Sequence, residues 1–578
     1  MLKSYEFDDP LSPYVFVNWV CVLVAFGAFL WIHARRRHLC VKPSVQLFFY
    51  THVFAQWPLA IYAGYYVDWL PRPHELVVLV HGFVLLGLLV ATTTLRDQAR
   101  LVWDAVGAGG SDSGRNGAHG GLVLTGSLTL LCLAVYLVYV PFDCTGLHAL
   151  LFHPNDAIVA REMSLKLLEA LPPRYAYSVA ANALAPVLFA VAVLMLPHDV
   201  AARRWFATTG WVFLLLLVLV IALLTGIKGN AIKLGMAGAF AAIWSARLAF
   251  SWSVAARAGG ALLGMFAIVY SIVVLFALVP QVNSEMGDCR ARVKSTKLPV
   301  AGDAQYQTGA RPDGVPLSEN SGADAMTDPL TERERALLNR LVALEVLGTD
   351  FRAWLAWQCA AGCTQSRIEL EEQFLAMVGN KAKLAAVGRV LSTEDLGAAI
   401  DEHAERSPQW GEQLRDIVRR VFVTPLEVGA WYVHYAQTLG PMGVSGIPKV
   451  ATLLSLKPIN AGSRIARVYA PAYYQHSVLP STTATAGYLF AQYGYFGLLA
   501  LPIALAAALA LDVALLVLRR MRGVMLLAIL GAITTVIGMF LQTDYGTVWV
   551  THGFGLVLLL ALLMTAGAPK GPSLSESR

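Results

Sequence analysis

The sequence predicts an all-α polytopic membrane protein of about 11 transmembrane helices carrying one large, mainly helical external insertion, and three observations lead there. First, 57% of the 578 residues are hydrophobic and 14% are charged, and mean hydropathy is +0.57, too apolar for a soluble enzyme. Second, many windows approach the roughly twenty residues needed to cross a bilayer. Third, about two hundred residues separate the apolar stretch ending at Pro280 from the next, opening near Gly487, far more than an ordinary connection.

Taken in order, spans are expected over residues 14–33, 46–67, 76–95, 122–140, 176–196, 205–225, 231–250 and 258–280, and after the insertion over 495–518, 523–541 and 548–566. The first window lacks the short apolar region and small-residue cleavage site of a signal peptide, so it reads as a retained span. Net charge is +6. Arg35-Arg36-Arg37, Arg96, Arg100, Arg203-Arg204, Arg247, Arg257 and Arg519-Arg520 with Arg522 all fall on one predicted side, which the positive-inside rule makes cytoplasmic. The acidic N-terminus (Glu6, Asp8, Asp9) and the insertion are then external. The resulting organisation is a first transmembrane block over 1–280, an external lobe over 281–486, a second block over 487–567 and a cytoplasmic tail over 568–578.

Within the lobe, Gly287 to Asp328 is rich in Gly, Pro, Ser, Asp and Lys without apolar periodicity, which reads as a disordered start. Thr331-Glu332-Arg333-Glu334 then opens a helix that continues with Leu337, Leu338, Leu341, Leu344 and Leu347 at helical spacing. Further helices are expected over 368–378, 393–405 and 410–421, the last stopping before Pro425. Beyond it, Glu427, His434 and Gln437 among aromatics, followed by Gly440-Pro441, Gly443, Gly446 and Pro448, suit a half-helix or re-entrant piece better than a full span. Cys21 and Cys132 lie inside spans and Cys40 on the cytoplasmic side, whereas Cys144, Cys289, Cys359 and Cys363 would face an oxidising compartment. A bridge from Cys289 to Cys359 or Cys363 and unbridged buried thiols are both compatible with the sequence.

Several catalytic engines have no signature here: no GxxxxGK[ST] phosphate loop, HExxH, GxSxG, CxxC or DxD. What remains is chemistry that needs neither nucleotide nor metal, so no cofactor and no metal site is expected, and the basic residues at span ends report orientation rather than nucleic-acid binding. The positive signal is cationic: Arg419 and Arg420, then Lys449, Lys457, Arg464 and Arg467, followed by Tyr469, Tyr473 and Tyr474. Guanidinium forks grip phosphate oxygens bidentately, and such a set at the membrane face suits a diphosphate whose tail stays in the bilayer. The same residues also fit interfacial anchors that snorkel to water. Arg161, Lys166 and Arg174 follow the fourth span, and Lys228 sits between glycines in Thr225-Gly226-Ile227-Lys228-Gly229-Asn230, a turn that either offers an ammonium and backbone N–H groups to an anion or is a plain tight turn with a snorkelling lysine. Glu427, His434 and His476 are the candidate general bases nearest these cations. Asp512, near Arg519-Arg520, reads as paired or solvated at the inner face. The spans read as mostly uninterrupted, with charge collected outside them, which disfavours a transporter.

In layout the chain resembles the Wzy-type repeat-unit polymerases of bacterial surface-polysaccharide assembly. The resemblance rests on a large external loop late in the chain and on Arg419-Arg420-Val421-Phe422-Val423-Thr424-Pro425 followed by Trp431-Tyr432. The re-entry through Thr482-Thr483-Ala484-Thr485-Ala486-Gly487-Tyr488 and Tyr493-Gly494-Tyr495-Phe496-Gly497, and the Thr225-Gly226-Ile227-Lys228 turn, add to it. The resemblance implies an inverting glycosyltransferase of the inner membrane with its large loop in the periplasm. It would act on undecaprenyl-diphosphate-linked glycan among membrane lipids, with a chain-length regulator as a further partner. Arg420 would stabilise the leaving diphosphate, helped by Arg419, Arg464, Arg467, Lys228, Arg161 and Tyr474, and Glu427 or His476 would take the acceptor proton. An O-antigen-ligase-like transferase, a transporter or flippase, and a non-catalytic envelope scaffold are the alternatives.

Overall fold

The computed structural model describes residues 13–62, 74–108, 118–148, 173–224, 228–249, 251–277, 500–541, 548–549 and 553–566, together with 428–429, 432, 442–446, 451, 454–457 and 459. Regular structure among the described residues is entirely helical. In chain order the helices are α1 (Pro13–Arg35), α2 (Pro43–Thr51), α3 (Trp57–Tyr62), α4 (His74–Ala91), α5 (Arg96–Ala108), α6 (Ala118–Tyr139), α7 (Pro173–Val179) and α8 (Ala185–Ala201). They continue with α9 (Trp205–Leu223), α10 (Lys228–Ser245), α11 (Trp252–Ala277), α12 (Ala500–Ala510), α13 (Ala514–Leu518), α14 (Gly523–Gly538) and α15 (Phe554–Ala566). The chain divides into two units, one of Met1–Val293, Asp416–Val433 and Thr482–Arg578, the other of Lys294–Arg415 and His434–Ser481. All fifteen helices named above belong to the first. In the second, a 3-10 turn at Gly443–Gly446 offers the Ser445 carbonyl to the Ile459 N–H at 2.7 Å.

Among the described residues, five helical stretches are long and apolar enough to cross a membrane: Phe16–Arg35, Gly120–Tyr139, Ala176–Ala201, Trp205–Leu223 and Ala500–Leu518. A sixth results if Val77–Ala91 and Arg96–Gly107, bent by 81°, count as one. Large apolar side chains such as Phe16, Leu23, Phe206 and Phe213 point outward, as hydrocarbon rather than water requires. The protein is therefore a helical membrane protein. At the centre lies α14, apolar but short, with every residue from Gly523 to Ile537 buried. Its neighbour α10 supplies Ala237, Ala239, Ala241 and Ala242, all buried. Gly531 of α14 faces the Ala237 carbonyl and Ala241 with no room for a side chain. Small residues of this kind let helix backbones meet inside a bilayer, where hydrophobicity does not itself drive association.

Apart from Arg174 at the start of α7, the described arginines of the helical unit define one end of the bundle. The 3-10 turn Arg37–Val41 joins α1 to α2 there, Arg519 donates to Gln98 at 2.7 Å, and the Arg247 guanidinium lies 5.0 Å from the Trp103 ring centre. Chain reversals at this end place Leu95, Arg203, Arg247 and Leu248 at positive φ, where a non-glycine residue costs about 1–3 kcal/mol; stacking on Trp103 offsets part of this at Arg247. The opposite end is marked by the Leu147 N–H donating to the Leu224 carbonyl at 3.2 Å. Cys144 lies at that end, buried and disulfide-bonded, its partner being outside the described residues, while Cys21, Cys40 and Cys132 are free.

Three helical stretches carry a local interruption of the α-helical hydrogen-bond ladder, although Ala176–Ala201 and Ala500–Leu518 each run on as one helix. A π-turn at His52–Gln56 separates α2 from α3, another at Ala180–Leu184 separates α7 from α8, and a 3-10 turn at Leu511–Val513 separates α12 from α13. Each keeps its helical direction while shifting the hydrogen-bond ladder, so apolar periodicity carries little trace of it.

Candidate functional site

Charge is also buried among the helices. Lys42 immediately precedes α2, and its ammonium meets Asp512 Oδ2 at 2.9 Å with side-chain exposures of 0% and 1%. Three further acceptors complete the ammonium: the carbonyls of Ala91 and Thr94, each at 2.7 Å, and Thr94 Oγ1 at 3.0 Å. Asp512 in turn accepts from the Ser44 N–H at 2.9 Å and from Ser44 Oγ at 2.8 Å. Asp512 is thus paired, one of the two states the sequence allowed. The carbonyls at the end of α4 gain a cationic donor where the helix needs one. Every group in this cluster is satisfied, which makes it a structural lock between α2, α4 and the α12–α13 break.

A second cluster follows the first π-turn. The Trp57 indole N–H donates to His52 Nε2 at 2.9 Å, which makes His52 Nδ1 the donor to Gln56 Oε1 at 2.6 Å. Gln56 Nε2 then donates to His81 Nδ1 at 2.7 Å, leaving His81 Nε2 to donate to Asn18 Oδ1 at 2.7 Å. Starting from a donor-only indole, the network runs in one direction and assigns both imidazoles as neutral. Asn18, His52, Gln56 and His81 are all buried. The chain ties α1, α3 and α4 together with each imidazole nitrogen used, and leaves no ring atom to meet a ligand.

The third cluster lies at the end opposite the arginines, around the second π-turn. Lys233 Nζ, on the second turn of α10, donates to Asn182 Oδ1 at 3.1 Å. Asn182 Nδ2 donates to Ser178 Oγ at 3.3 Å. Asn230, one turn before Lys233, donates to the Tyr177 hydroxyl at 3.4 Å, and that hydroxyl donates to the Ile221 carbonyl at 3.3 Å. Gly553, at φ +98°, brings its backbone against the Asn182 carbonyl, an approach closed to any residue with a Cβ. This seam differs from the other two in holding a cation among neutral groups alone.

Of the residues singled out from sequence, Asp512 is the partner of Lys42, Lys228 is the first residue of α10 and Arg174 the second of α7, the side chains of the last two being outside what is described, and Lys457 is exposed. Arg420, Glu427, His476, Arg419, Arg464, Arg467, Arg161 and Tyr474 lie outside the described residues, as do Cys289, Cys359, Cys363 and the stretch 287–328. Near Glu427, Val428 and Tyr432 are buried at 2% and 1% exposure. Sequence reasoning passed over Lys42, His52, Gln56, His81, Asn182 and Lys233. Only the ionisable ones carried a signal, because a lysine or histidine within an apolar run marks a functional position by default. No group of three or more His, Cys, Asp or Glu suited to a metal occurs among the described residues.

The fold and its buried polar seams define a polytopic helical membrane protein. Comparison with protein-family models, with curated proteins and with solved structures finds no match to this chain.

Proposed function

We propose that this chain polymerises undecaprenyl-diphosphate-linked oligosaccharide repeat units into a surface polysaccharide, at the outer face of a bacterial cytoplasmic membrane. The observation that carries the reading is the sidedness of the bundle. α11 begins beside the arginine-bearing turn at Arg247 and runs 26 residues away from it. α12 begins at Ala500, about 18 Å of helix before Asp512, which is held at the arginine end. Ala277 and Ala500, the described helix ends that face the insertion in sequence, therefore belong to the end opposite the arginines, the end that also holds the Cys144 disulfide. Positive-inside orientation and an oxidising compartment both support an external insertion, the side on which flipped lipid-linked sugars are joined. In this reading eleven spans support a periplasmic lobe of about two hundred residues, and shorter helices such as α14 complete a span because neighbours wrap them.

The chemistry asks little of the protein beyond placing charge. A sugar diphosphate is already activated, so Arg420, with Arg419, Arg464, Arg467, Lys228 and Arg161, stabilises the negative charge that builds as the anomeric bond to the diphosphate breaks. Glu427 or His476 accepts the proton of the attacking hydroxyl, and Tyr474 supplies an aromatic face to a sugar ring. Arg420→Ala should abolish chain growth while leaving the protein inserted and abundant, read as loss of the glycan ladder. A normal ladder from that variant rejects the site assignment.

The helix interruptions and the buried Lys42–Asp512 pair favour a transporter or flippase as the second reading, since broken helices and intramembrane charge are transporter traits. The two separate on which leaflet accumulates unpolymerised lipid-linked units when the protein is removed. The outer leaflet supports polymerisation and the inner leaflet supports transport.

A further inference from the structure

We infer that the Lys233 ammonium anchors the phosphate of a membrane-embedded lipid, at the polar seam between α10 and the α7 π-turn; that the lipid is the polyprenyl diphosphate donor rests on the function proposed above. Lys233 stands five residues after the start of α10, about 7.5 Å along the helix axis. It is half-buried, with Ala231 and Leu234 fully buried and Ile232 exposed beside it. Its single polar contact among the described residues is the neutral oxygen of Asn182. Ion pairs among the described residues join Lys42 to Asp512 and Arg204 to Asp199, and neither involves Lys233.

An ammonium has three donors and no acceptor. At Lys42 the same bundle surrounds such a group with a carboxylate and three further oxygens. At Lys233 it supplies one amide oxygen and leaves two donors over. A cation inside a span is costly unless a counter-charge accompanies it, and no carboxylate among the described residues does so here. The surroundings are set rigidly: Ser178 and the close packing of Gly553 fix Asn182, and the Asn230–Tyr177–Ile221 relay fixes the next turn of α10. These groups are uncharged, so an incoming anion meets no repulsion from them. A lysine facing the headgroup depth of a bilayer with donors to spare matches a phosphate oxygen, which accepts from a point-like ammonium without a fork geometry. Diphosphate on a polyprenol and phosphodiester on a phospholipid share that chemistry.

The test uses the full chain in phosphatidylcholine nanodiscs, titrated with farnesyl diphosphate, with farnesol, and with dioleoyl phosphatidylglycerol, and read by calorimetry. Farnesyl diphosphate should bind where farnesol does not. Lys233→Met should weaken that binding about tenfold or more, the loss of one charge-assisted contact, while Lys233→Arg stays within a few-fold of wild type. Asn182→Asp gives a second variant, which places a carboxylate against Lys233 and should block the site by pairing with it. If phosphatidylglycerol competes as well as farnesyl diphosphate, the anchor stands as a phospholipid site and the donor assignment fails. Wild-type affinity in both Lys233→Met and Asn182→Asp, or no binding of either phosphate probe to the wild type, overturns the anchor. Neither result depends on the glycan ladder of Arg420→Ala, so failure of the anchor and failure of the polymerase reading remain distinguishable.

Discussion

The Lys42–Asp512 pair invites a double-mutant cycle with isosteric changes, Lys42→Met and Asp512→Asn. At 2.9 Å and an effective dielectric near 20, the mutual attraction is about 6 kcal/mol, and it is opposed by a desolvation cost of several kcal/mol per ion. The net value of the pair is therefore small, yet removing one partner leaves the other charged in a site buried from solvent. Each single change should cost about 3–5 kcal/mol. Asn at 512 with Oδ1 kept on the Ser44 N–H puts an amide NH2 where Oδ2 met both Ser44 Oγ and the ammonium, so its penalty is electrostatic and a lost acceptor rather than a cavity effect. In the double variant the orphaned charge is gone. What persists is the loss of the donor to the Ala91 and Thr94 carbonyls, so the cycle should show a coupling of about 3 kcal/mol. Reversible unfolding in mixed detergent micelles, followed by far-UV circular dichroism, measures it. Additivity of the two single changes within about 0.5 kcal/mol would refute the lock.

Two further perturbations follow from packing and charge. Gly531→Ala should destabilise by about 1–3 kcal/mol because its Cβ would meet the Ala237 backbone, whereas Gly27→Ala, with nothing within 4 Å, should stabilise by up to about 1 kcal/mol through helix propensity; the same unfolding assay compares them. His38 lies outside the spans, and burial together with Arg96, Arg36 and Arg100 lowers its pKa from 6.5. The unfolded chain therefore takes up this proton first, and stability falls as pH drops through the unfolded value toward the depressed folded one. His38→Gln should flatten the stability profile below neutral pH, and an unchanged slope between wild type and variant would contradict the assignment.

Helix positions were legible because a span is an average property: twenty apolar residues outvote a few polar ones, so each expected stretch that falls on described residues carries helix. The polar seams were not legible for the same reason. His52, Gln56 and His81 sit singly in apolar runs, and nothing local says that they meet, since Gln56 and His81 belong to different helices. Asp512 was recognisable as a group needing a partner, but Lys42 lies at the other extreme of the chain and is joined to it by the fold alone. The interruptions escaped because a π-turn adds one residue without breaking the apolar pattern. Of the cations expected to meet the substrate, Lys228 stands at the start of α10, and the lysine a turn and a half further on falls inside the span that the apolar pattern predicts.

The contrast between the two lysines gives a rule for separating structural from functional cations in this bundle. A cation kept for stability should have its donors saturated inside the protein, because an unpaired buried charge lowers stability and any available carboxylate relieves it. Lys42 meets that requirement with four oxygens, one of them charged. Lys233 does not, although Asn182 differs from aspartate by a single group and Asn182→Asp would complete a pair. If stability alone shaped that position, Asn182→Asp should raise the unfolding free energy without cost to the protein's activity. If the free donors serve a phosphate, the same change should stabilise the fold and abolish glycan chain growth together, and observing stabilisation with full chain growth would return Lys233 to the role of an interfacial anchor.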